Sequence, residues 1–195
     1  MQFPLQITFK ISTITNDFRV HDAEGREQAF VRQKLFKLKE EVSVFSDESR
    51  SKLSFRIKAD RWLDFSATYR FLDAQDNEIG RIVRQGFKSL WKASYQIYDE
   101  KLQADFSISE DNPFVKIMDG IFGDLPLIGL FSGYFFNPSY IITRPDGIAI
   151  ARLKKEKSFF GRRFSVQKLS EFESGEENRL VLGLMMMILL ERSRG

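Results

Sequence analysis

The sequence predicts a mainly β fold, a closed antiparallel barrel of about twelve strands wrapped around a hydrophobic C-terminal α-helix. Short segments alternate apolar and polar residues and are separated by turn-forming residues, which is typical of half-buried strands. A strand-and-turn pattern repeats along the chain, and a long apolar run near its end leaves no polar face for a helix. The 195 residues, 43% of them hydrophobic, suffice for one domain with a sizeable core, and we predict a single domain over residues 1–195.

The N-terminal residues predict the first strand, because apolar and polar residues alternate from Phe3 to Ile11. This segment lacks the basic start and continuous apolar run of a secretory signal. The longest apolar run, Leu180–Leu190, has eleven residues, and a helix of that length covers only about half of a bilayer core. We therefore expect a cytoplasmic protein that can associate peripherally with a membrane.

The repeated unit is a hairpin followed by Val-Arg-Gln. Phe18–Gly25 is followed by Val31–Gln33, Tyr69–Asn77 is followed by Val83–Gln85, and a looser copy covers Tyr140–Lys155. Asp-x-x-Gly, Asp-Asn and Pro-Asp-Gly sequences supply the turns. This many antiparallel strands must stack or close into a barrel to avoid bare edges.

The last helix favours closure over stacking. We predict it at about 175–192, with Ser174 as its N-cap and Glu177 completing a capping box. The apolar positions of Leu180–Leu190 surround the helix axis on all sides, so the helix must be enclosed. Lipid is excluded by length, which leaves the strands as the enclosing material. A helix packed on one face of a sandwich is the alternative.

Composition excludes many classes of site. The chain has no Cys and a single histidine, His21, which excludes thiol catalysis, disulfides, structural zinc and multi-histidine metal sites. No phosphate-binding glycine loop or nucleophile elbow is present, and a net charge of +3 is too small to favour nucleic acid. Asp111, Asp119 and Asp124 lack the spacing of a calcium loop. We predict a non-enzymatic protein without cofactor or metal.

The hairpin repeats, the Lys34–Leu38 segment that follows the first one and the enclosed C-terminal helix resemble the LURP-one-related family. That family is grouped with the tubby C-terminal domain and the phospholipid scramblases. The resemblance extends from about Phe18 to Glu191. It implies a roughly twelve-stranded barrel around a hydrophobic helix. Tubby domains are associated with phosphoinositides bound by basic residues on the outer wall, and scramblases with bilayers and Ca²⁺.

Basic residues are the candidate site. Cations that face outward from a barrel wall can hold an anionic phospholipid headgroup through charge and forked guanidinium hydrogen bonds. The best candidate stretch runs from Lys154 to Arg163, where acidic residues are scarce, and the repeats add an arginine at equivalent places. The predicted lipid- or anion-binding residues are Arg32, Arg84, Arg152, Lys154, Lys155, Lys157, Arg162 and Arg163.

Three other functions remain open from the sequence. A protein-interaction or scaffold module would dock a partner through the apolar residues 125–136, a segment that also suits plugging one end of the barrel. An enzyme would need a pocket that joins two carboxylates with perturbed pKa values. A small-molecule carrier would need a void beside the helix. The sequence makes no prediction of oligomeric state.

Overall fold

The computed structural model describes residues 1–10, 16–33, 41–60, 67–85, 94–111, 139–156 and 163–192. These residues form twelve strands and one helix, as the sequence predicts. The elements are β1 (Leu5–Phe9), β2 (Phe18–His21), β3 (Glu27–Gln33), β4 (Glu41–Phe45), β5 (Leu53–Ala59), β6 (Thr68–Asp73), β7 (Glu78–Arg84), β8 (Tyr95–Asp99), β9 (Ala104–Glu110), β10 (Ser139–Thr143), β11 (Ala149–Lys155), β12 (Arg163–Lys168) and α1 (Glu176–Arg192).

The sheet is a closed barrel in which every strand pairs antiparallel with its neighbours in chain order. Closure occurs between the first and last strands, where Leu5 lies opposite Val166 and Thr8 lies opposite Arg163. A closed barrel has no exposed edge on which another chain could add a strand. The prediction of a barrel is therefore confirmed, and the alternative of a helix packed on a sandwich is wrong.

Helix α1 fills the barrel. Strand side chains alternate, so that Leu5, Ile7 and Phe9 point inward and are at most 4% exposed. On the helix, residues on opposite faces such as Leu182 and Leu184 are equally buried, at most 2% exposed. Within the described residues, no helix combines the length and hydrophobicity that crossing a membrane requires.

The helix packs closely against β7 and β8. A Cβ atom added at Gly183 would lie 2.3 Å from Cδ1 of Ile97, so any larger residue here requires the Ile97 side chain to move. A cavity between the helix and β3–β5, lined by Ala29, Val44 and Val181 among others, has a volume of about 50 Å³. That space holds no more than a few water molecules, so it is too small for the ligand of a carrier.

The first turn of α1 is capped one residue earlier than the sequence predicts. The carboxylate of Glu176, not of Glu177, accepts a hydrogen bond from the backbone N–H of Glu173 at 2.7 Å. Glu177 instead pairs with the amino group of Met1 at 2.9 Å. Arg144 explains the difference, because it holds the buried Glu176 carboxylate with hydrogen bonds of 2.6 and 2.9 Å.

The two ends of the barrel differ. At one end, which we call the turn end, tight turns join β2 to β3, β4 to β5, β6 to β7, β8 to β9 and β10 to β11. Helix α1 begins at this end, since it follows β12. At the other end, which we call the distal end, β1 finishes with Phe9, and the helix finishes with Arg192 stacked 4.2 Å from the Phe9 ring.

The five turns share one backbone geometry. In each, the fourth residue donates its N–H to the carbonyl of the first, at 2.9–3.2 Å, and has a positive φ. In four of them the first residue is an aspartate whose Oδ1 accepts the N–H two residues on. These aspartates recur at intervals of 25, 26 and 26 residues: Asp22, Asp47, Asp73 and Asp99. The positive-φ residues are Gly25, Arg50, Asp76, Leu102 and Gly147.

Candidate anion-binding surface

Strands β11 and β12 present three of the predicted basic residues on the outer wall. Arg152 and Lys154 alternate with the buried Ala151 and Leu153, so both side chains point outward. Arg163 is the first residue of β12 and is exposed. We call Arg152, Lys154 and Arg163 the cationic trio.

The strand register brings the trio together. Lys154 lies opposite Ser165 on β12, and Arg163 is two residues before Ser165 on the same face. Diagonal neighbours of this kind are about 7–8 Å apart, within reach of one ligand for side chains as long as these. Arg152 is two residues from Lys154 along the same strand face and lies opposite Gln167, so the trio forms a row in which Lys154 is the neighbour of both arginines.

Two members of the trio have no carboxylate partner among the described residues. Arg152 lies 3.3 Å from the carboxylate of Asp111. Within the part of the chain that the structure describes, neither Lys154 nor Arg163 forms an ion pair with a carboxylate. The strand neighbours of Lys154 are Ser139 and Ser165, and those of Arg163 are Thr8 and Glu156, whose backbone N–H donates to the carbonyl of Arg163 at 2.8 Å.

The other predicted basic residues are placed elsewhere or not described. Lys155 occupies an inward-facing position at the distal end, opposite Phe164. Arg32 is on the outer face of β3, opposite Ser43 and four strands from β11. At about 4.8 Å per strand, that is roughly 19 Å along the wall, which separates it from the trio. Lys157 and Arg162 lie outside the described residues, as do Asp119, Asp124 and the segment 125–136.

Arg84 does not share the outer wall with Arg32 and Arg152. It is paired with Tyr95, on the same face of β7 as the fully buried Ile82, so it points into the distal end of the barrel. Its charge there partly offsets the effect of burial, which raises the pKa of Tyr69. The three arginines that the repeats relate therefore do not converge.

A second basic surface, which the sequence did not single out, lies on β5–β7. Lys58, Arg70 and Arg81 are cross-strand neighbours in one row. The carboxylate of Glu78 lies 2.6 Å from Arg81 and 3.9 Å from Arg70. Lys58 is 3.6 Å from Asp76. Each cation of this row has a carboxylate within 4 Å, unlike Lys154 and Arg163, so cation spacing alone cannot distinguish the two surfaces.

The distal end holds a buried polar cluster. The hydroxyl of Tyr95 donates a 2.5 Å hydrogen bond to Oε1 of Glu191 near the end of α1. Burial, together with this carboxylate, raises the pKa of Tyr95 far above its ordinary value. Burial likewise raises the pKa of Tyr140, with the charges of Glu191 and Glu110 adding to the effect. Tyrosines that hold their protons this tightly are poor bases near neutral pH, so the cluster fits a role in anchoring the helix.

Comparison with known families agrees with this architecture. A model of the LURP-one-related family matches residues 27–188, which covers β3 through most of α1. The chain belongs to the LURP-one-related family. No curated protein matches it.

The LURP-one-related match includes the whole cationic trio as well as Arg32 and Arg84. A closed twelve-stranded barrel around a single hydrophobic helix is the tubby-like fold that the sequence resemblance implied. Family and fold together fit a non-enzymatic role. Fold alone does not assign a ligand, which must be argued from the site.

Proposed function

We propose that this LURP-one-related protein is a non-enzymatic module that binds the phosphorylated headgroups of anionic phospholipids at the cytoplasmic membrane surface. The observation that carries the proposal is the pair Lys154 and Arg163, which are exposed diagonal neighbours without a carboxylate partner among the described residues. Binding takes place on the outer wall, since helix α1 fills the interior.

The chemistry of the trio suits a phosphate group. The guanidinium of Arg163 can donate two parallel hydrogen bonds to phosphate oxygens, and the ammonium of Lys154 supplies a compact charge. Arg152 is already shared with Asp111, so we assign it a supporting role. The hydroxyl and amide groups of Thr8 and Gln167 are positioned to donate to a headgroup.

Electrostatic attraction between these cations and an anionic membrane is weak and is screened by salt. A basic residue near an anionic membrane contributes about 1 kcal/mol, and the attraction falls off over about 8–10 Å at physiological ionic strength. The proposal therefore predicts weak, reversible binding that tightens at low salt. Such binding suits a peripheral protein.

The experiment is vesicle flotation with two matched double variants. Lys154→Gln/Arg163→Gln removes two charges from the trio, and Lys58→Gln/Arg70→Gln removes two charges from the compensated row. Each protein is floated with phosphatidylcholine vesicles and with vesicles that also contain phosphatidylserine and a phosphoinositide. Thermal unfolding of each protein verifies that it is folded.

The unmodified protein should float with anionic vesicles and not with neutral ones. The Lys154/Arg163 variant should lose most of that binding, about tenfold or more for two contacts, whereas the Lys58/Arg70 variant should keep it. Equal losses in both variants would mean that only net charge matters, and equal flotation with neutral vesicles would mean that charge does not matter. Either result would overturn the proposal.

A further inference from the structure

Among the described residues, the exposed large apolar side chains lie in one half of the turn end. Among the described residues, the large hydrophobic side chains that are exposed are Leu102 (56%), Ile148 (49%), Leu169 (44%) and Met1 (40%). Leu102 is in the β8–β9 turn, Ile148 in the β10–β11 turn, and Leu169 directly follows β12. The described turns that join β2 to β3, β4 to β5 and β6 to β7 have no such residue. We call Leu102, Ile148 and Leu169 the apolar arc.

The arc is contiguous because β8 to β12 are consecutive in the barrel. The backbone N–H of Leu169 donates to the carbonyl of Ile150 at 2.8 Å, which ties the segment after β12 to the start of β11. Neighbouring hairpin tips are about two strand spacings apart, roughly 10 Å. The three side chains thus span a surface that one peptide segment can cover.

Leu102 has a backbone conformation that is unfavourable for a leucine. Its φ of +65° lies in the left-handed region, which glycine occupies in two equivalent turns and which Arg50 and Asp76 occupy in the other two. A non-glycine residue there costs about 1–2 kcal/mol, and a side chain that is more than half exposed recovers little of this by burial. Among the five residues at this turn position, Leu102 is the one with a large apolar side chain, and that exposed side chain is available for binding.

The tips that carry the arc are held rigidly. Arg179 of α1 bonds Asp105 of β9 at 2.5 Å and lies 3.6 Å from Glu100 in the β8–β9 turn. Arg144 joins the β10–β11 turn to the helix through Glu176 and to the backbone carbonyl of Glu171 at 2.8 Å. A surface fixed before binding loses little conformational entropy when a partner docks.

Charge identifies the class of partner. The exposed charged residues among the described parts of the arc tips, 99–103, 144–148 and 169–175, are Glu100, Asp146, Glu171 and Glu173 against Lys101. In the three polar turns, the exposed charges are instead mostly basic: Arg26, Arg50 and Lys52 against Glu24 and Asp76. An acidic, apolar surface repels an anionic bilayer and attracts a segment with apolar and basic side chains.

A groove beside the arc has matching chemistry. It has a volume of about 530 Å³, and its lining combines the apolar residues Met1, Phe3, Pro4 and Leu169 with the polar residues Gln167, Lys168, Ser170 and Glu171. The carboxylate-bearing side chain of Glu171 is 92% exposed even though it pairs with Lys168. An apolar side chain of a partner fits the groove while a neighbouring lysine or arginine meets the carboxylate.

We propose that the apolar arc docks a protein segment that carries leucine-like and basic side chains. The site is separate from the cationic trio: Leu102, Ile148 and Leu169 lie at the turn end, whereas Lys154 and Arg163 lie toward the distal end of β11 and β12. The protein can therefore bind a membrane on its wall and a partner at its turn end.

The experiment uses three labelled ten-residue peptides, (Leu-Lys)₅, (Leu-Glu)₅ and (Ser-Lys)₅, and measures fluorescence anisotropy with the full chain. We expect saturable binding of the Leu-Lys peptide, binding at least tenfold weaker for the Ser-Lys peptide, and none for the Leu-Glu peptide. Leu102→Gly should weaken Leu-Lys binding at least tenfold while raising the Tm, because glycine adopts the left-handed region without strain.

Arg50→Gly is the matched control, since it makes the same backbone change in a polar turn. It should raise the Tm as well and leave peptide affinity within about twofold, a difference that a purely structural role for Leu102 would not produce. Lys154→Gln/Arg163→Gln should also keep peptide binding, so this proposal and the lipid proposal can fail separately.

Three results would overturn the inference. Unchanged peptide affinity in Leu102→Gly would remove the arc from binding, and equal affinity for the Leu-Lys and Ser-Lys peptides would reduce the interaction to charge. Loss of vesicle flotation in Leu102→Gly would make a bilayer the occupant. Self-association in sedimentation that disappears in Leu102→Gly would make a second copy of the chain the occupant.

Discussion

The two ends of the barrel hold the same helix by different chemistry. At the turn end, α1 begins with the buried carboxylate of Glu176, which is paired with Arg144 at 2.6 Å. At the distal end, the anchoring hydrogen bond comes from a neutral group, the hydroxyl of Tyr95, which donates to Glu191. One end depends on an ion pair and the other on a protonated phenol, so the two ends should respond to different perturbations.

The pKa shifts follow the same division. Burial by itself would raise the pKa of Glu176, but hydrogen bonds from Arg144 and the N–H of Glu173 outweigh it and lower the pKa. At the distal end, burial raises the pKa of Tyr69, Tyr95 and Tyr140. The turn end thus favours an ionised acid, and the distal end favours uncharged tyrosines.

The largest expected effect is at the turn end. Arg144→Met removes the partner of a carboxylate that is 5% exposed, and an unpaired buried charge costs about 3 kcal/mol or more. The free energy of unfolding in urea should fall by that amount. Arg26→Met is the control: Arg26 also pairs with a buried carboxylate, of Asp22, but its own side chain is 56% exposed. Asp22 keeps three other hydrogen bonds, so we expect a loss of about 1 kcal/mol.

A smaller effect is expected at the distal end. Tyr95→Phe removes the hydrogen bond to Glu191 while keeping the ring, and the loss of a hydrogen bond to a charged group costs about 1.5–3 kcal/mol. Tyr98→Phe, on the outward face of the same strand, should change unfolding by less than about 0.5 kcal/mol. Equal effects of the two substitutions would show that Tyr95 does not anchor the helix.

The smallest expected difference between the two ends is in how each one's contribution to stability depends on pH. Because the pKa of Glu176 is lowered from its ordinary 4.5, the stability it contributes is present above that pH and is lost as the pH falls through the folded-state pKa. Because the pKa of Tyr95 is raised from 10.0, its contribution is present below that pH and is lost as the pH rises further. Burial raises the pKa of Asp105 despite the opposing effect of Arg179. The folded protein therefore gains stability when Asp105 is protonated, which offsets part of the stability lost at acid pH.

Tm measured from about pH 3 to about pH 11 tests this. Glu176→Gln should make the acid side of the profile less steep and leave the alkaline side unchanged, the remaining acid loss coming from Asp22, Asp47 and Asp73, whose pKa values are also lowered. Tyr95→Phe should make the alkaline side of the profile flatter and leave the acid side unchanged. A variant that flattens both sides, or neither, would contradict the assignment of each side to one end of the barrel.

The architecture could be predicted from the sequence because the spacing of apolar residues indicates which side chains are buried. The alternation of apolar and polar residues predicted the strands. An apolar run too short to cross a bilayer predicted the enclosed helix, which the structure places at Glu176–Arg192. Pairings between distant positions carry no such local signal. Arg179 and Asp105 are 74 residues apart, and neither stands out from the other charged residues of the chain.

The repeats also predicted equivalent arginines, and here a one-residue difference changed the outcome. Arg32 is seven residues after the positive-φ residue Gly25, whereas Arg84 is eight after Asp76. Side chains alternate with a period of two, so an extra residue turns Arg84 inward while Arg32 faces out. Arg152, five residues after Gly147, again has odd spacing and faces out. The turn geometry that sets this parity is visible in the structure but not in the Val-Arg-Gln motif.

The helix that supplies the middle of the core follows all twelve strands in the chain. A ribosome adding about 5–20 residues per second needs on the order of ten seconds or more to travel from β1 to α1. Throughout that interval the helix around which the nascent hairpins close has not yet been synthesised. We therefore expect chaperones to matter most for this protein just before translation reaches its final helix.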